Sequence, residues 1–526
     1  MSGAARQTST ALAYFALVLF CVSLFTCTSP GRITYPDDEI VFQTTQSLAD
    51  RGELAIEGIA KRTGERVDRP TGTFGWAPGR DGKRYGFFGH GTSLVATPAY
   101  LLGRATAAQV PELWRYAVRS DLFTFHRRNL DSDWRRLVTN LTNCWVTALA
   151  AALLGLWLQA LGHGPRASLL TALVYALGSS AWPYSKTLLS EPLSTVLLLG
   201  AALGITRWRQ AGGRGQLWVA ASLAGLSVHA HVLNVLAIPC LLGYALATPE
   251  LRARALRADG DRGTWLVALA LGGAGLALLG YSQWWRFGSP FETGRFDHYG
   301  HWVWPFEALG TMLVAPGRSL LWYSPPLLLS LWLLPRLWQR QRACAALILA
   351  LTLTRALFVA CRSDWHGGWA IGPRYLLPLL PFLLVPLAGW IEQLHTRSLR
   401  VRVAALAASF ASVAFQAWLA AHSVFQLFWR LNIEHGRERY MWVSDWQPSA
   451  APPIAFWLEQ QEALSFWRAG DVEAARNLAK FDMLAFGAWR LGAATGEYGL
   501  WRLCLGVGVV GAGALALLVL MLRRLR

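Results

Sequence analysis

Charged residues are scarce in this sequence, and acidic residues are scarcer than basic ones. Only 15% of the 526 residues are charged, and 31 Asp and Glu against 49 Lys and Arg give a formal net charge of +18. An ordinary soluble domain has about 25% charged residues. Because 54% of the residues are hydrophobic, the composition excludes the ordinary soluble class and indicates a membrane protein.

Cysteine motifs, an internal repeat and a signal-peptide cleavage site are also missing. The seven cysteines form no CxxC pair and no His/Cys spacing suited to zinc, which argues against thiol and zinc chemistry. The two halves of the chain show no repeat of the kind that many transporters have. Because "LFTCTSPGR" is a poor match to a cleavage site, we expect residues 10–28 to be an anchor, with a cleaved signal peptide as the alternative.

Long apolar runs, in contrast, are abundant. A bilayer core about 30 Å thick takes about 20 apolar residues per helix, and about twelve segments come near that length. The predicted spans are residues 10–28, 138–162, 167–183, 188–206, 217–231, 232–248, 264–284, 319–335, 344–361, 374–391, 403–424 and 499–522. The shorter apolar segments 92–103 and 306–318 are predicted to be helices at the membrane interface. The predicted fold class is an all-α polytopic membrane protein.

The basic residues are distributed unevenly between the two sides of these spans. With the N-terminus placed inside, the inner segments hold eighteen Arg residues against four acids, Glu250, Asp259, Asp261 and Glu392. Cytoplasmic segments of membrane proteins carry such an excess of cations. The basic composition therefore follows from membrane topology and gives no support for nucleic-acid binding.

Most of the polar mass is predicted to lie on the outer side. Long outer loops are expected at residues 29–137, 285–318 and 425–498, whereas the inner connections are short. Apolar residues at intervals of three and four in the third loop predict one or two amphipathic helices. We expect three parts: a transmembrane module over residues 1–424, the outer loop 425–498, and a final helix with a basic tail over residues 499–526.

Two acidic sites fall at the outer mouths of predicted spans. The stretch "TYPDDEIVFQTTQ" contains the adjacent acids Asp37, Asp38 and Glu39, and "WPYSKTLLSEPLSTVLLL" places Glu191 at the mouth of another span. Alone, the triplet fits a solvated turn, and Glu191 fits a cap or a partner of Lys186. Ionisable groups at membrane depth tend to mark function, so two such sites at one face suggest a shared pocket. Its carboxylates would act as a general base or bind a divalent cation such as Mg²⁺ or Mn²⁺.

Several cations adjoin span mouths on the same outer side and break the general charge trend. They are Lys83, Arg84, Lys186, Arg286, Arg318, Arg362 and Arg374. Each one alone fits a side chain that reaches towards lipid headgroups. As a set among Gly- and Pro-rich turns, they indicate an anionic ligand such as a phosphate.

Histidines occur both within the spans and at the outer face. His229 and His231 in "SVHAHVLN" are predicted to be a buried, hydrogen-bonded pair and not a metal site. His90 in "FFGHG" and His366 in "SDWHGGW" are better placed for substrate binding.

The order of these features resembles the GT-C superfamily of glycosyltransferases that use lipid carriers. The likeness is nearest to the bacterial branch of glycosyltransferase family 39, with its protein O-mannosyltransferases and lipid A aminoarabinose transferases. It rests on "DDEIVFQTTQSLADRGELAI", "DGKRYGFFGHGTSLVATPAYLLGR", "WPYSKTLLSEPLSTVLLL", "RFGSPFETG", "GGWAIGPRYLLPLLPFLL" and, more weakly, "GRSLLWYSPPLLL". These stretches cover about residues 30 to 385. The "KPP"-like stretch of the aminoarabinose branch and the globular insertion of the mannosyltransferase branch are absent.

The resemblance implies specific roles. It implies a GT-C-type bundle of about twelve helices in which Asp38 and Glu39 form the family's paired acid, with Asp37 beside them. Glu191 corresponds to a second acidic position. The carrier phosphate is implied to contact Lys83 or the equally placed Arg84, next to Tyr85, together with Lys186 and Arg374. Relatives differ in their need for a metal, so a cation on Asp38, Glu39 and Glu191 stays open.

The implied activity is transfer of one sugar from a polyprenyl-phosphate carrier to an acceptor at the outer face of the membrane. Asp38 would act as general base, and direct displacement would invert the anomeric centre. The acceptor is left open among a glycan, a lipid and a protein. The expected location is the inner membrane, with the active site facing the periplasm or exterior. The alternatives are a transporter or flippase of lipid-linked saccharides and an inactive assembly scaffold.

Overall fold

The structure is a computed structural model that describes residues 3–57, 75–117, 130–248, 261–295, 301–436, 439–474 and 481–525. The described helices, numbered in chain order, are α1 Gly3–Thr28, α2 Pro36–Arg51, α3 Gly91–Thr106, α4 Glu112–Ala117, α5 Leu130–Asn140, α6 Thr142–Ala160, α7 Pro165–Gly178, α8 Ala181–Ser185, α9 Glu191–Ala211, α10 Arg214–Ala230, α11 Ala237–Ala245, α12 Asp261–Phe287, α13 Phe306–Val314, α14 Leu320–Tyr323, α15 Pro326–Arg340, α16 Arg342–Ala360, α17 Leu380–Leu383, α18 Val385–Glu392, α19 Leu399–Ala421, α20 Val424–His435, α21 Tyr440–Trp446, α22 Pro452–Arg468, α23 Leu484–Thr495 and α24 Gly499–Arg524. Short 3₁₀ segments lie at Val232–Leu236, Arg374–Leu379, Leu394–Thr396 and Pro448–Ala450. The predicted all-α class is confirmed.

Seven helical segments of the described chain are long and apolar enough to cross a membrane. They are Gln7–Thr28, Asp133–Ala160, Arg262–Phe287, Arg342–Ala360, Arg374–Glu392, Leu399–Ala421 and Gly499–Arg524. The protein is therefore a multi-pass membrane protein. The predicted number of about twelve is not confirmed by this count, because α7 has 14 residues, α10 has 17 and α15 has 15.

The bundle packs sequence neighbours and distant segments together. α1 lies along α24, and α9 lies between α6 and α10. The core is rich in alanine and leucine, with the indole rings of Trp157 and Trp208 fully buried in it. α9 has 21 residues and is therefore about 30 Å long. We call the end of the bundle where α9 begins the acidic end, because Glu191 is the first residue of α9.

The long segment after α1 forms a cap at the acidic end. It contains α2, α3 and a small antiparallel sheet in the order β1-β3-β2, made of Ala55–Ile56, Arg84–Gly86 and Trp76–Pro78. The two segments predicted to be interfacial helices, 92–103 and 306–318, do contain helices, α3 and α13. In the third predicted loop, α20 to α23 supply the expected helices, and residues 475–480 lie outside the described part. The predicted division of the chain into three parts stays a prediction.

Candidate active site

The three adjacent acids lie in the first turn of α2, which begins at Pro36. Proline fits the first helical position because its fixed φ suits the helix and the missing N–H has no partner there. Successive helical residues are rotated by about 100°. Asp37, Asp38 and Glu39 therefore point in three directions, and each side chain has a different environment.

Arg374 joins two of the predicted acids. Its Nε donates to Oε1 of Glu191 at 2.7 Å, and its Nη1 donates to Oδ2 of Asp37 at 2.5 Å. The side chain of Glu191 is fully buried, and those of Arg374 and Asp37 are 8% and 19% exposed. Residues 37, 191 and 374, which are far apart in the sequence, therefore form one ion-paired cluster.

The loop before Arg374 is shaped by glycine. Gly367, Gly368 and Gly372 all have φ between 61° and 75°, a conformation that glycine adopts without steric cost. A Cβ on Gly367 would lie 3.2 Å from the side chain of Arg374, and the Gly367 carbonyl accepts a 3.3 Å hydrogen bond from Nη1. The "HGGWAIGPR" stretch therefore folds closely around the guanidinium and fixes its position.

Asp38 lies beside this cluster and is fully buried. The Leu188 backbone N–H faces its carboxylate, but within the described chain no donor makes a hydrogen bond of normal geometry to either oxygen. Burial raises the pKa of Asp38 well above its usual range. The Leu188 backbone N–H and the charge of Arg374 lower this pKa, whereas the charges of Asp37 and Glu191 raise it. A carboxyl group with a raised pKa accepts a proton more readily than an ordinary carboxylate does.

The cluster also contains two arginines that were not predicted from the sequence. Arg295 donates to Oδ2 of Asp364 at 3.0 Å and to the Tyr375 hydroxyl at 3.2 Å. Arg355 is 3% exposed and donates to the Tyr375 carbonyl and to Oδ1 of Asn234. A signal for Arg355 did exist, because a lone cation inside the apolar run "LTLTRALF" is an ionisable group at membrane depth.

Glu39 does not join the cluster. Its two oxygens accept from Nε and Nη2 of Arg136, both at 2.8 Å, and Gln43 donates to Oε1 at 3.1 Å. The Arg136 guanidinium also lies 4.6 Å from the centre of the Phe42 ring. Glu39 is therefore held in a bidentate pair that fixes α2 against α5.

Two of the predicted phosphate ligands have partners outside the Arg374 cluster. Lys186 is buried and its Nζ donates to the carbonyls of Ala420 and His422 at 2.6 and 3.2 Å, and burial lowers its pKa to about 8. Arg318 is fully buried; it pairs with Asp445 at 3.0 Å and also donates to the carbonyl of His366. Both cations hold backbone segments together.

The predicted Lys83, Arg84 and Tyr85 lie on the hairpin of β2 and β3. Lys83 is half exposed and pairs with Glu53 at 3.0 Å, and Arg84 donates to the Glu57 carbonyl at 2.7 Å. Tyr85 is buried and donates to Asp81 at 2.8 Å. No contact between this hairpin and the Arg374 cluster is among the described hydrogen bonds.

The other two predicted outer cations also have local partners. Arg286 donates to the Gly86 carbonyl at 2.9 Å, and Arg362 pairs with Asp364 at 3.4 Å. Asp364 is also the partner of Arg295. Arg362 is thus connected to the cluster through one shared carboxylate, whereas Arg286 supports the hairpin.

The histidines have local partners. His90 lies at the start of α3, 3.1 Å from His229, and burial lowers its pKa to about 3. His366 accepts from the Gly368 N–H at 3.0 Å, and burial lowers its pKa to about 4. The ring of His231 packs on Tyr375 instead of pairing with His229. His231 thus contacts the residue that follows Arg374 in the sequence.

The described residues offer a divalent cation few ligands. Asp38 has two unpaired oxygens and Glu191 has one, but Glu39 faces Arg136. Across the described ranges, no three His, Cys, Asp or Glu side chains are arranged to hold a metal ion. A divalent cation on Asp38, Glu39 and Glu191, which the resemblance left open, does not fit this donor set.

Comparisons with known proteins give one kind of match. No protein-family model matches the sequence, and no curated protein matches it. Among solved structures, the chain is similar to ArnT from Cupriavidus metallidurans bound to undecaprenyl phosphate, with 16% identity, a TM-score of 0.44, and coverage of 97% of this chain and 76% of that one. The apo state of the same protein gives 14% identity, a TM-score of 0.45, and coverage of 99% and 77%.

This similarity extends along nearly the whole chain, at low sequence identity. The roles of individual residues rest on the geometry of the site itself. In overall fold, the chain is similar to the two ArnT structures.

Proposed function

We propose that the protein is a membrane glycosyltransferase that moves one sugar from a polyprenyl-phosphate carrier to an acceptor hydroxyl. The observation that carries this proposal is a set of unpaired polar atoms buried at the acidic end. They are both oxygens of Asp38, Oε2 of Glu191, Nη2 of Arg355 and Nε of Arg295. Buried polar groups are nearly always paired, so unpaired donors and acceptors together suit a polyhydroxylated, anionic ligand.

The chemistry follows from these charges. The acceptor oxygen attacks the anomeric carbon, the bond from that carbon to the carrier phosphate breaks, and Asp38 takes the acceptor's proton. The electron pair of the broken bond stays on the phosphate oxygen. Attack opposite the leaving group inverts the anomeric centre.

The neighbouring groups support both halves of this reaction. The nearby charges of Asp37 and Glu191 make Asp38 a better proton acceptor, while Arg374 opposes them. Arg295 and Arg374 lie close to Asp37, and guanidinium groups bind phosphate oxygens well. Their charge would stabilise the phosphate as it leaves.

The location of the site supports transfer at the outer face of the inner membrane. α9 begins at Glu191 and carries Arg207 and Arg209 near its other end. Membrane proteins keep such basic ends in the cytoplasm. The acidic end would then face the periplasm or exterior, where a lipid-linked donor reaches a glycan, lipid or protein acceptor.

The decisive experiment measures transfer from a labelled polyprenyl-phosphate sugar in proteoliposomes. Asp38→Asn removes the base and keeps the shape, so transfer should fall by at least about 100-fold. Folding raises the pKa of Asp38, so the protonated carboxyl group stabilises the folded protein at low pH. This stabilisation is lost as the pH rises through the raised pKa. Asparagine does not ionise, so the variant should melt no earlier than the wild type.

The matched control is Glu462→Gln, which changes an exposed carboxylate on α22 and should leave transfer unchanged. Equal transfer by wild type and Asp38→Asn would refute the proposed base. Movement of the lipid-linked saccharide across the vesicle membrane without transfer would favour the transporter alternative.

A further inference from the structure

Arg355 is a cation inside an apolar helix. It lies on α16, five residues before the helix ends at Ala360, which places it about 8 Å along the helix from that end. Only 3% of the residue is exposed. A charge at such a position is costly and tends to mark a functional site.

The surrounding groups fix the Arg355 guanidinium. Its Nε donates to the Tyr375 carbonyl, and its Nη1 donates to Oδ1 of Asn234 at 2.8 Å. Asn234 in turn donates to Ser194 at 2.9 Å and to the Ser227 carbonyl at 2.8 Å. These contacts hold the guanidinium in one orientation and leave its Nη2 buried without a partner among the described residues.

Glu191 presents the complementary group. One of its oxygens is occupied by Arg374, while Oε2 is buried and accepts no hydrogen bond from the described chain. The charges of Glu191 and Arg355 act on each other. The site therefore holds one unpaired acceptor and one unpaired donor group, on the rigidly packed α9 and α16.

We propose that Arg355 and Glu191 together recognise one hydroxyl group of the transferred sugar. This inference rests on the proposed function and names a specificity determinant for it. A hydroxyl both donates and accepts, so a single group would pair with Oε2 of Glu191 and with Nη2 of Arg355. A sugar without that hydroxyl would leave both protein groups buried and unpaired, and such sites reject deoxy analogues by large factors.

The test compares donors that differ in one hydroxyl. Polyprenyl-phosphate mannose, glucose and galactose are first offered to the wild type in proteoliposomes, and the monodeoxy analogues of the transferred sugar follow. For one ring position, we expect the wild type to prefer the hydroxylated donor by at least about 100-fold in kcat/KM. Arg355→Met should reduce that preference to below about tenfold, while preferences at the other positions stay unchanged.

Two further variants decide between recognition and support. Glu191→Gln should weaken the preference at the same ring position, because its oxygen contacts the same hydroxyl. Arg340→Met makes the same chemical change at an exposed site and should alter no preference. If Arg355→Met lowers kcat/KM equally for all donors, Arg355 supports the site, for example by pairing with Glu191, and does not recognise a hydroxyl. That result overturns the inference. Failure of the wild type to transfer any sugar refutes the proposed function instead.

Discussion

Two adjacent buried carboxyl groups on α2 differ in how completely their oxygens are paired. Glu39 of α2 is bound by Arg136 and Gln43 through both of its oxygens. Asp38, the preceding residue, has no hydrogen bond of normal geometry to either oxygen in the described structure. Full pairing is what a structural ion pair needs, because an unpaired buried charge is expensive. The difference therefore separates a residue that holds the fold from one that is available for a ligand.

The largest effect is expected for Arg374→Met, which removes the cation that the acids share. Glu191 and Asp37 would both lose their partner, so transfer should fall by about 1,000-fold. The free energy of unfolding should fall by roughly 3–5 kcal/mol. Transfer assays and thermal melts in detergent check both parts. Arg374→Lys keeps the charge without the two-pronged geometry and should recover stability better than activity.

Glu39→Gln should have the opposite effects to Asp38→Asn, with a loss of stability and no loss of activity. Breaking the bidentate pair with Arg136 should destabilise the protein by roughly 1–3 kcal/mol, seen as a lower melting temperature. Turnover per folded molecule should stay within about twofold of the wild type. A loss of turnover comparable to that of Asp38→Asn would remove the distinction between Asp38 and Glu39 and would support the paired acid that the family resemblance implied.

The sequence was sufficient to predict several parts of this arrangement. Apolar runs predicted an all-helical membrane protein, and the acids at span mouths were correctly expected to come together, since Asp37, Glu191 and Arg374 do so. The sequence was not sufficient to assign the neighbours of the three adjacent acids. Each step along a helix turns the side chain by about 100°, so which acid faces Arg374 depends on the orientation of α2 against the bundle.

The predicted cations show a second limit. Lys186 and Arg318 have the loop positions expected of phosphate ligands, but they donate to the carbonyls of Ala420 and His366. Carbonyls at helix ends and in loops need donors, and a sequence does not reveal which cation supplies them. Arg355 was overlooked for a different reason: it lies inside a predicted span, where the lone cation was a signal in the sequence, but its burial and its unpaired nitrogen became known only from the structure.

A pH profile would sharpen the comparison further. The proposed base Asp38 must be ionised to take a proton, so the transfer rate should rise as pH increases through its raised pKa. Asp37→Asn removes a like charge that raises this pKa and frees Arg374, which lowers it. The midpoint of the pH profile should therefore move to lower pH in this variant, measured as initial transfer rates across pH values. A midpoint that does not move would show that another group is the base.

The smallest effect is expected at Lys83, which tests whether exposure alone separates ligands from surface charges. Its ammonium pairs with Glu53 at a site where both side chains are roughly half exposed, and such pairs contribute about 0–1 kcal/mol. Lys83→Ala should therefore change the melting temperature little. If the hairpin does not contact the carrier phosphate, the KM for the donor should also stay within about twofold of the wild type.

Arg84→Ala tests the equally placed neighbour in the same way, since its guanidinium already lies on the Trp76 ring. A tenfold rise in KM for either variant, with kcat unchanged, would instead show that the hairpin reaches the phosphate and that unpaired burial is too narrow a criterion for this site.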